Sequence, residues 1–331
     1  MTKKQKRLAL ATGIGVSLVG LSVTAFFGVT DYFINYAIMR PEPSDEDDPL
    51  APSYEKSEEE QANKDAGKAK VAQWKTEVQG HPLTMSSYDG LQLWGMTYPQ
   101  EKDSDLWLIA VHGYQSEHSS VEDFAVECYE RGYNVLLPDL RGHGNSEGDY
   151  IGMGLHDSID ILSWIDVIIE GNPNAKILLF GQSMGAATVM ITAGQEGLPE
   201  NVQAVIEDCG YTDSYQMMVE QLDYRYGLPE FPLMPMTNFM AEFRTDYDMR
   251  DASPMEFLQN ATVPILFIHG DQDTFVLPYM IDELYQSYEG EKEYLMVEGA
   301  DHVASRNVAP TLYFDTVFSF LEKHMPDTNS N

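Results

Sequence analysis

A serine bracketed by glycines, Gly181-Gln182-Ser183-Met184-Gly185, follows the apolar run Lys176–Phe180 and precedes an alanine-rich stretch with helical character. A serine used as a nucleophile must stand on a tight strand-to-helix turn, and small residues at 181 and 185 let the backbone turn without Cβ clashes. The start of the helix supplies N–H groups at the positive end of its dipole, which makes the Met184 amide a candidate donor to an oxyanion. The plainer reading of the same residues is a glycine-rich turn whose serine caps a helix.

A hydroxyl is a weak nucleophile until a base takes its proton and an acid orients that base. Both residue types lie downstream. Asp273 follows the predicted strand Pro264–Ile268 in His269-Gly270-Asp271-Gln272-Asp273, and His302 follows the predicted strand Glu293–Val297 in Gly299-Ala300-Asp301-His302. Asp208, after Ala204–Glu207, and Asp271 are other carboxylates within plausible reach of His302. The chain order Ser, Asp, His is that of one large class of hydrolases. A second oxyanion donor is expected from Val111-His112-Gly113-Tyr114, with the Tyr114 amide as the candidate. His112 and His269 read as structural. His81, His118, His143, His156 and His324 show no metal-ligand spacing, and Cys128 and Cys209 form no CxxC or Cys/His cluster, so no metal is expected.

These residues need a scaffold that brings strand ends together. Predicted strands at Leu106–Val111, Asn134–Leu137, Lys176–Phe180, Ala204–Glu207, Pro264–His269 and Glu293–Val297 alternate with predicted helices at Val121–Arg131, His156–Glu170, Met184–Gly194, Pro278–Tyr288 and Thr311–His324. Repeated β-then-α segments predict an α/β fold with a mostly parallel sheet, covered on both faces. Thr84–Ser87 and Leu91–Thr97 around Asp89-Gly90 predict an antiparallel hairpin at its start. Residues 211–263 break the rhythm, with seven of the 17 methionines, five tyrosines and four phenylalanines, and read as a helical insertion over the sheet's edge.

The 331 residues carry 20 Lys+Arg against 53 Asp+Glu, a net charge of -33, which repels a nucleic-acid backbone and excludes that class of partner. The N-terminus differs in kind. Lys3, Lys4, Lys6 and Arg7 precede the uncharged run Leu8–Thr30, long enough as a helix to cross a bilayer, with Tyr32, Phe33 and Tyr36 where an interfacial aromatic belt would sit. The positive-inside rule then expects a single-pass anchor in the cell membrane with the body outside; the alternative is a secreted protein, cut at the small-residue site Val23-Thr24-Ala25. Residues 1–40 are thus read as the anchor, apart from the core, and 41–75 as an acidic spacer, PEPSDEDDPLAP, followed by a helix near Tyr54–Trp74. Residues 76–325 form the catalytic domain, with 211–263 as its insertion, and 326–331 are a tail.

The blocks HGYQSEHSS, DLRGHGNSEGDYIGMG, GQSMG, HGDQDTFV and GADHVAS make the chain from Thr76 to Met325 resemble the α/β-hydrolase superfamily. Within it the likeness is to bacterial membrane-anchored or secreted serine hydrolases akin to cinnamoyl esterases and serine aminopeptidases. The resemblance implies a doubly wound, mostly parallel eight-stranded sheet with a helical lid between the sixth and seventh strands. It also implies Ser183 as nucleophile, His302 as base, Asp273 as acid, and the Tyr114 and Met184 amides as the oxyanion hole, with no cofactor. Arg141-Gly142-His143-Gly144 resembles a shared structural loop.

The expected substrate is a small ester with an apolar or aromatic acyl group, since the insertion is rich in methionine and aromatic residues. A peptidase or amidase on the same triad is the second reading, for which Glu220, Asp223 or Glu242 would have to anchor a free amino terminus. A surface binding protein on a hydrolase fold is the third.

Overall fold

The computed structural model describes residues 26–40 and 56–325, together with Thr2 and Thr24. Most of the predicted span Leu8–Thr30, the Pro41–Pro52 spacer and the tail 326–331 lie outside the described residues. Among the described residues, no helix is long and apolar enough to cross a membrane.

Eight strands form one mixed sheet: β1 (His81–Ser86), β2 (Gln92–Tyr98), β3 (Leu106–Val111), β4 (Asn134–Pro138), β5 (Lys176–Gln182), β6 (Val202–Asp208), β7 (Ile265–Gly270) and β8 (Lys292–Val297). Their order is β1-β2-β4-β3-β5-β6-β7-β8. β1 pairs with β2 and β2 with β4 in antiparallel fashion, and every later pair is parallel. The helices are α1 (residues 26–37), α2 (Glu58–Glu77), α3 (Glu122–Tyr129), α4 (Leu155–Gly171), α5 (Met184–Ala193), α6 (Ser214–Tyr226), α7 (Glu230–Thr245), α8 (Pro254–Phe257), α9 (Tyr279–Ser287), α10 (Ser305–Val308) and α11 (Pro310–His324).

The central strands are apolar at nearly every position because both faces are covered. Ile109, Val111, Leu136, Ile177, Leu179 and Phe267 pack with residues of α4, α5 and α9, while Leu108, Ala110, Leu137, Leu178, Phe180 and Ile268 pack with residues of α3 and α11. Alternate residues of one strand therefore feed two cores, as a period of two requires. The α2 helix is capped by Ser57, whose hydroxyl accepts the Glu60 N–H at 3.0 Å, and it lays Trp74 on Tyr98 at a centroid distance of 4.3 Å.

Between β6 and β7 the chain leaves the sheet to form α6, α7 and α8. One side of α7 is buried through Leu233, Met234 and Ala241. The other side holds Phe239 and Phe243, which are 63% and 88% exposed, and Phe231, at the non-helical kink near the start, is 76% exposed.

The N-terminal segment departs from the sequence reading. One side of residues 26–40 belongs to the core: Thr30, Ile34 and Ile38 have no exposed surface, and Ile34 and Ile38 join the same apolar cluster as α4 and α5, while Phe27, Val29 and Tyr32 on the other side are exposed. The Ile151 N–H donates to the Ile38 carbonyl at 2.7 Å, and the Arg40 N–H to that of Asp149 at 2.9 Å.

Candidate active site

Ser183 caps β5 and begins α5 with φ 56° and ψ -119°, a left-handed backbone that a serine adopts only when its neighbours hold it there. Gly181 and Gly185 permit this turn. A Cβ on Gly181 would enter the Gly185 carbonyl, and one on Gly185 would enter the carbonyls of Val111 and His112.

The three side chains singled out for acyl transfer stand in line. The Ser183 hydroxyl lies 2.8 Å from His302 Nε2, and His302 Nδ1 lies 2.7 Å from Asp273 Oδ2. A carboxylate only accepts, so Nδ1 carries the imidazole proton and Nε2 faces the serine hydroxyl as an acceptor. The other two carboxylates are engaged elsewhere. Asp208 Oδ2 accepts the Tyr313 hydroxyl at 2.8 Å, and Asp271 Oδ1 accepts the Gly299 N–H at 2.7 Å.

Asp273 is held from two sides. Its Oδ1 accepts the N–H groups of Phe275 and Val276, both at 2.8 Å, while its Oδ2 also meets His269 Nε2 at 3.2 Å. Burial alone would push this carboxyl up, but His302 and His269 beside it outweigh burial and hold it well below the usual carboxylate range. His269, read from the sequence as structural, thus touches the same oxygen as His302. Asp301 fixes the loop from below, its Oδ1 accepting the N–H groups of His302 at 2.8 Å and Thr274 at 3.1 Å. Its place directly before His302 was the available signal for that role.

The loop after β3 brings its backbone to Ser183. A Cβ on Gly113 would lie 3.2 Å from Ser183 Cβ, and Tyr114 lines the cavity next to the serine. Met184, the first residue of α5, has its N–H among those without an acceptor in the helix, and its side chain is buried in the core.

Two neutral histidines hold this loop. His112 donates from Nδ1 to the Gly113 carbonyl at 2.8 Å and accepts the Leu140 N–H on Nε2 at 3.0 Å. His143 donates from Nδ1 to the Arg141 carbonyl at 2.9 Å and accepts the Gln115 N–H on Nε2 at 3.2 Å. Burial pushes both imidazoles down to about 4. Arg141 is itself buried and bridges Asp160 and Asp89, so this loop is structural.

Above Ser183 opens a cavity of about 470 Å³. Its walls come from α6 (Met217, Leu222, Tyr226), α7 (Met234, Thr237), the Phe275 ring and, unforeseen in the sequence, α1 (Phe33, Tyr36, Ala37). Its charged lining residue is Arg225, 3.2 Å from the Tyr36 hydroxyl. Glu220, Asp223 and Glu242 do not line it. The Cys209 sulfur lies within 4.8 Å of ligand atoms of Asp273 and His302, but burial keeps that thiol protonated by raising it well above its ordinary value.

Residues 102–212 match the family described as serine aminopeptidase, S33. The uncharacterized protein YqkD of Bacillus subtilis is 29% identical over 192 residues, 58% of this chain and 63% of that protein, so the chain covers less than two thirds of that relative. A thermostable monoacylglycerol lipase from a Bacillus species is 23% identical over 249 residues, 66% of this chain and 90% of the lipase. Among solved structures, a Pyrococcus furiosus esterase superposes with a TM-score of 0.60 at 24% identity, over 75% of this chain and 94% of its own. An acylaminoacyl peptidase from Pyrococcus horikoshii gives 0.59 at 17% identity, over 77% and 43%.

Proposed function

We propose that this chain, an α/β-hydrolase, is a serine hydrolase of carboxylic esters with apolar or aromatic acyl groups. The reading is carried by the unbroken line of hydrogen bonds from Ser183 through His302 to Asp273, at 2.8 and 2.7 Å. His302 Nε2 takes the proton as Ser183 Oγ attacks the ester carbonyl carbon, and the Tyr114 and Met184 amides receive the developing oxyanion. His302 passes that proton to the departing alcohol, leaving an acyl-serine. A water deprotonated by His302 then attacks the acyl carbon, and the acid leaves as Ser183 regains its proton. Asp273 stays ionised throughout, fixing the tautomer and stabilising the imidazolium.

The α6–α7 insertion acts as the lid, and its methionines, with the aromatic side chains around them, make the acyl pocket. The family match to a serine aminopeptidase favours a second reading, a peptidase on the same triad. A free amino terminus would need an acid in the cavity, and the acids of the insertion lie outside its lining, which favours the ester. The chain's place is at the cell membrane, anchored through the apolar residues that precede Phe26 with its body outside; protease added to intact cells would then remove the body, and full protection would refute this placement.

The deciding experiment uses the full chain in detergent with p-nitrophenyl acetate and butyrate, beside amino-acid p-nitroanilides. Ester turnover that falls by roughly a millionfold in kcat in Ser183→Ala is expected. Anilide turnover above ester turnover would install the peptidase. If neither substrate is cleaved and a fluorophosphonate leaves Ser183 unlabelled, the chain is a binding protein.

A further inference from the structure

The segment that enters the body from the N-terminal apolar run does more than attach it. Three consecutive turns of chain, from Thr30 to Arg40, are built into the hydrolase body on several sides. Arg40 donates to the carbonyls of Gly144 at 2.9 Å and Ser146 at 2.6 Å, and the Phe33 ring meets Tyr226 of α6 edge-on at 5.2 Å. Arg244 of α7 pairs with Asp31 and reaches Asn35 Oδ1 at 3.3 Å. A helix serving only as a tether gains nothing from burying Ile34 and Ile38 completely or from placing Phe33, Tyr36 and Ala37 on the cavity wall.

We propose that α1 is part of the substrate site: Phe33 and Ala37 set the length of acyl group the cavity admits, and Tyr36 positions the loop that receives the oxyanion. Tyr36 does so through its backbone. Its carbonyl accepts the Tyr114 hydroxyl at 2.9 Å and the Gln115 side-chain amide at 3.4 Å, and these are the residues that follow Gly113 at the nucleophile. The left-handed φ of Gln115, 50°, marks the turn that these bonds and His143 hold. Ala37 is small where the cavity passes it, so a larger side chain there shortens the space. Phe33 fills the gap beside Tyr226, so truncating it lengthens the space. The proposal rests on the reading of Ser183 as nucleophile and of this cavity as the acyl site.

The test compares kcat/KM for p-nitrophenyl octanoate and acetate in the full chain. A change of one or a few carbons in an apolar pocket shifts such ratios about ten- to two-hundredfold. Ala37→Phe is expected to lower the octanoate-to-acetate ratio at least about tenfold, and Phe33→Ala to raise it. Ala37→Cys supplies a second measurement that tolerates a poorly folding Phe variant. Cys128 and Cys209 are buried, so the introduced thiol is the one that a maleimide reaches. Labelling Ser183 with a dodecyl fluorophosphonate is expected to slow its alkylation, while an ethyl fluorophosphonate leaves it fast. Ratios within about twofold of the wild type in both variants, or equal alkylation after either probe, overturn the role of α1. Failure of the wild type to label at all strikes instead at the triad reading beneath it.

Discussion

Asp273 was the acid the sequence favoured, but Asp208 and Asp271 also follow strands at the same edge of the sheet and stayed open beside it. What separates them is where their oxygens point. Asp208 is taken up by Tyr313 and Asp271 by Gly299, while Asp273 turns one oxygen to two backbone N–H groups and the other to His302. Ser183 and His302 were legible because each sits in a short glycine-containing block behind an apolar strand. His269 was not, because its contact with Asp273 depends on the curl of the loop between them. Beside it, Glu207 is buried with one carboxylate oxygen unpaired, close to His269 and Asp208, and burial pushes its carboxyl up from 4.5 to about 8. As pH rises from about 4.5 to about 8, the unfolded chain gives up this proton before the folded one, so the native state loses stability across that window. Glu207→Gln is expected to remove this slope, leaving the Tm near that of the wild type at pH 5 and raising it by a few degrees at pH 8. Parallel Tm-against-pH curves for the two proteins would show that Glu207 does not hold its proton in the fold.

At the level of elements, periodicity and turn residues located β3 to β8 and the helices α3, α4, α5, α9 and α11 to within a few residues, because buried parallel strands must be apolar throughout, while α6 to α8 were legible only as a helical insertion. The hairpin was also legible, with β1 beginning earlier than its apolar residues indicate since its outer positions are exposed. The helix α1 was misread for a physical reason. An apolar helix face looks the same in sequence whether lipid or a protein cavity covers it, and the contacts that decide the matter join residues 30–40 to residues from 78 to 213 positions away. The tight fit of α5 against β3 is a second matter of distance in space. Gly185→Ala places a methyl against the Val111 and His112 carbonyls and is expected to cost roughly 1–3 kcal/mol and to slow fluorophosphonate labelling. Gly171→Ala, where nothing lies within 4 Å, serves as the contrast and should leave the urea midpoint in place. Equal midpoints for the two variants would show that the elbow has slack.

Taken as a whole, the molecule is lopsided. The sequence carries a net charge of -33, which repels polyanions, while Phe231, Phe239 and Phe243 of α7 stand in water and α7 joins α1 through Arg244 and Asp31. Large apolar side chains left in water mark a place where another apolar phase is met when they lie together. In the language of colloids, such a molecule is expected to act as a surfactant, its charge resisting crowding while the exposed rings seek a boundary. Spread beneath a clean air–water surface in a film balance, it is expected to raise the surface pressure, and the double variant Phe239→Asp, Phe243→Asp to raise it less at equal bulk concentration. Identical pressure curves would assign the surface activity to some other part of the molecule. If the difference is found, the proposed ester hydrolysis is expected to speed up with the area of an emulsion as well as with the amount of ester dissolved.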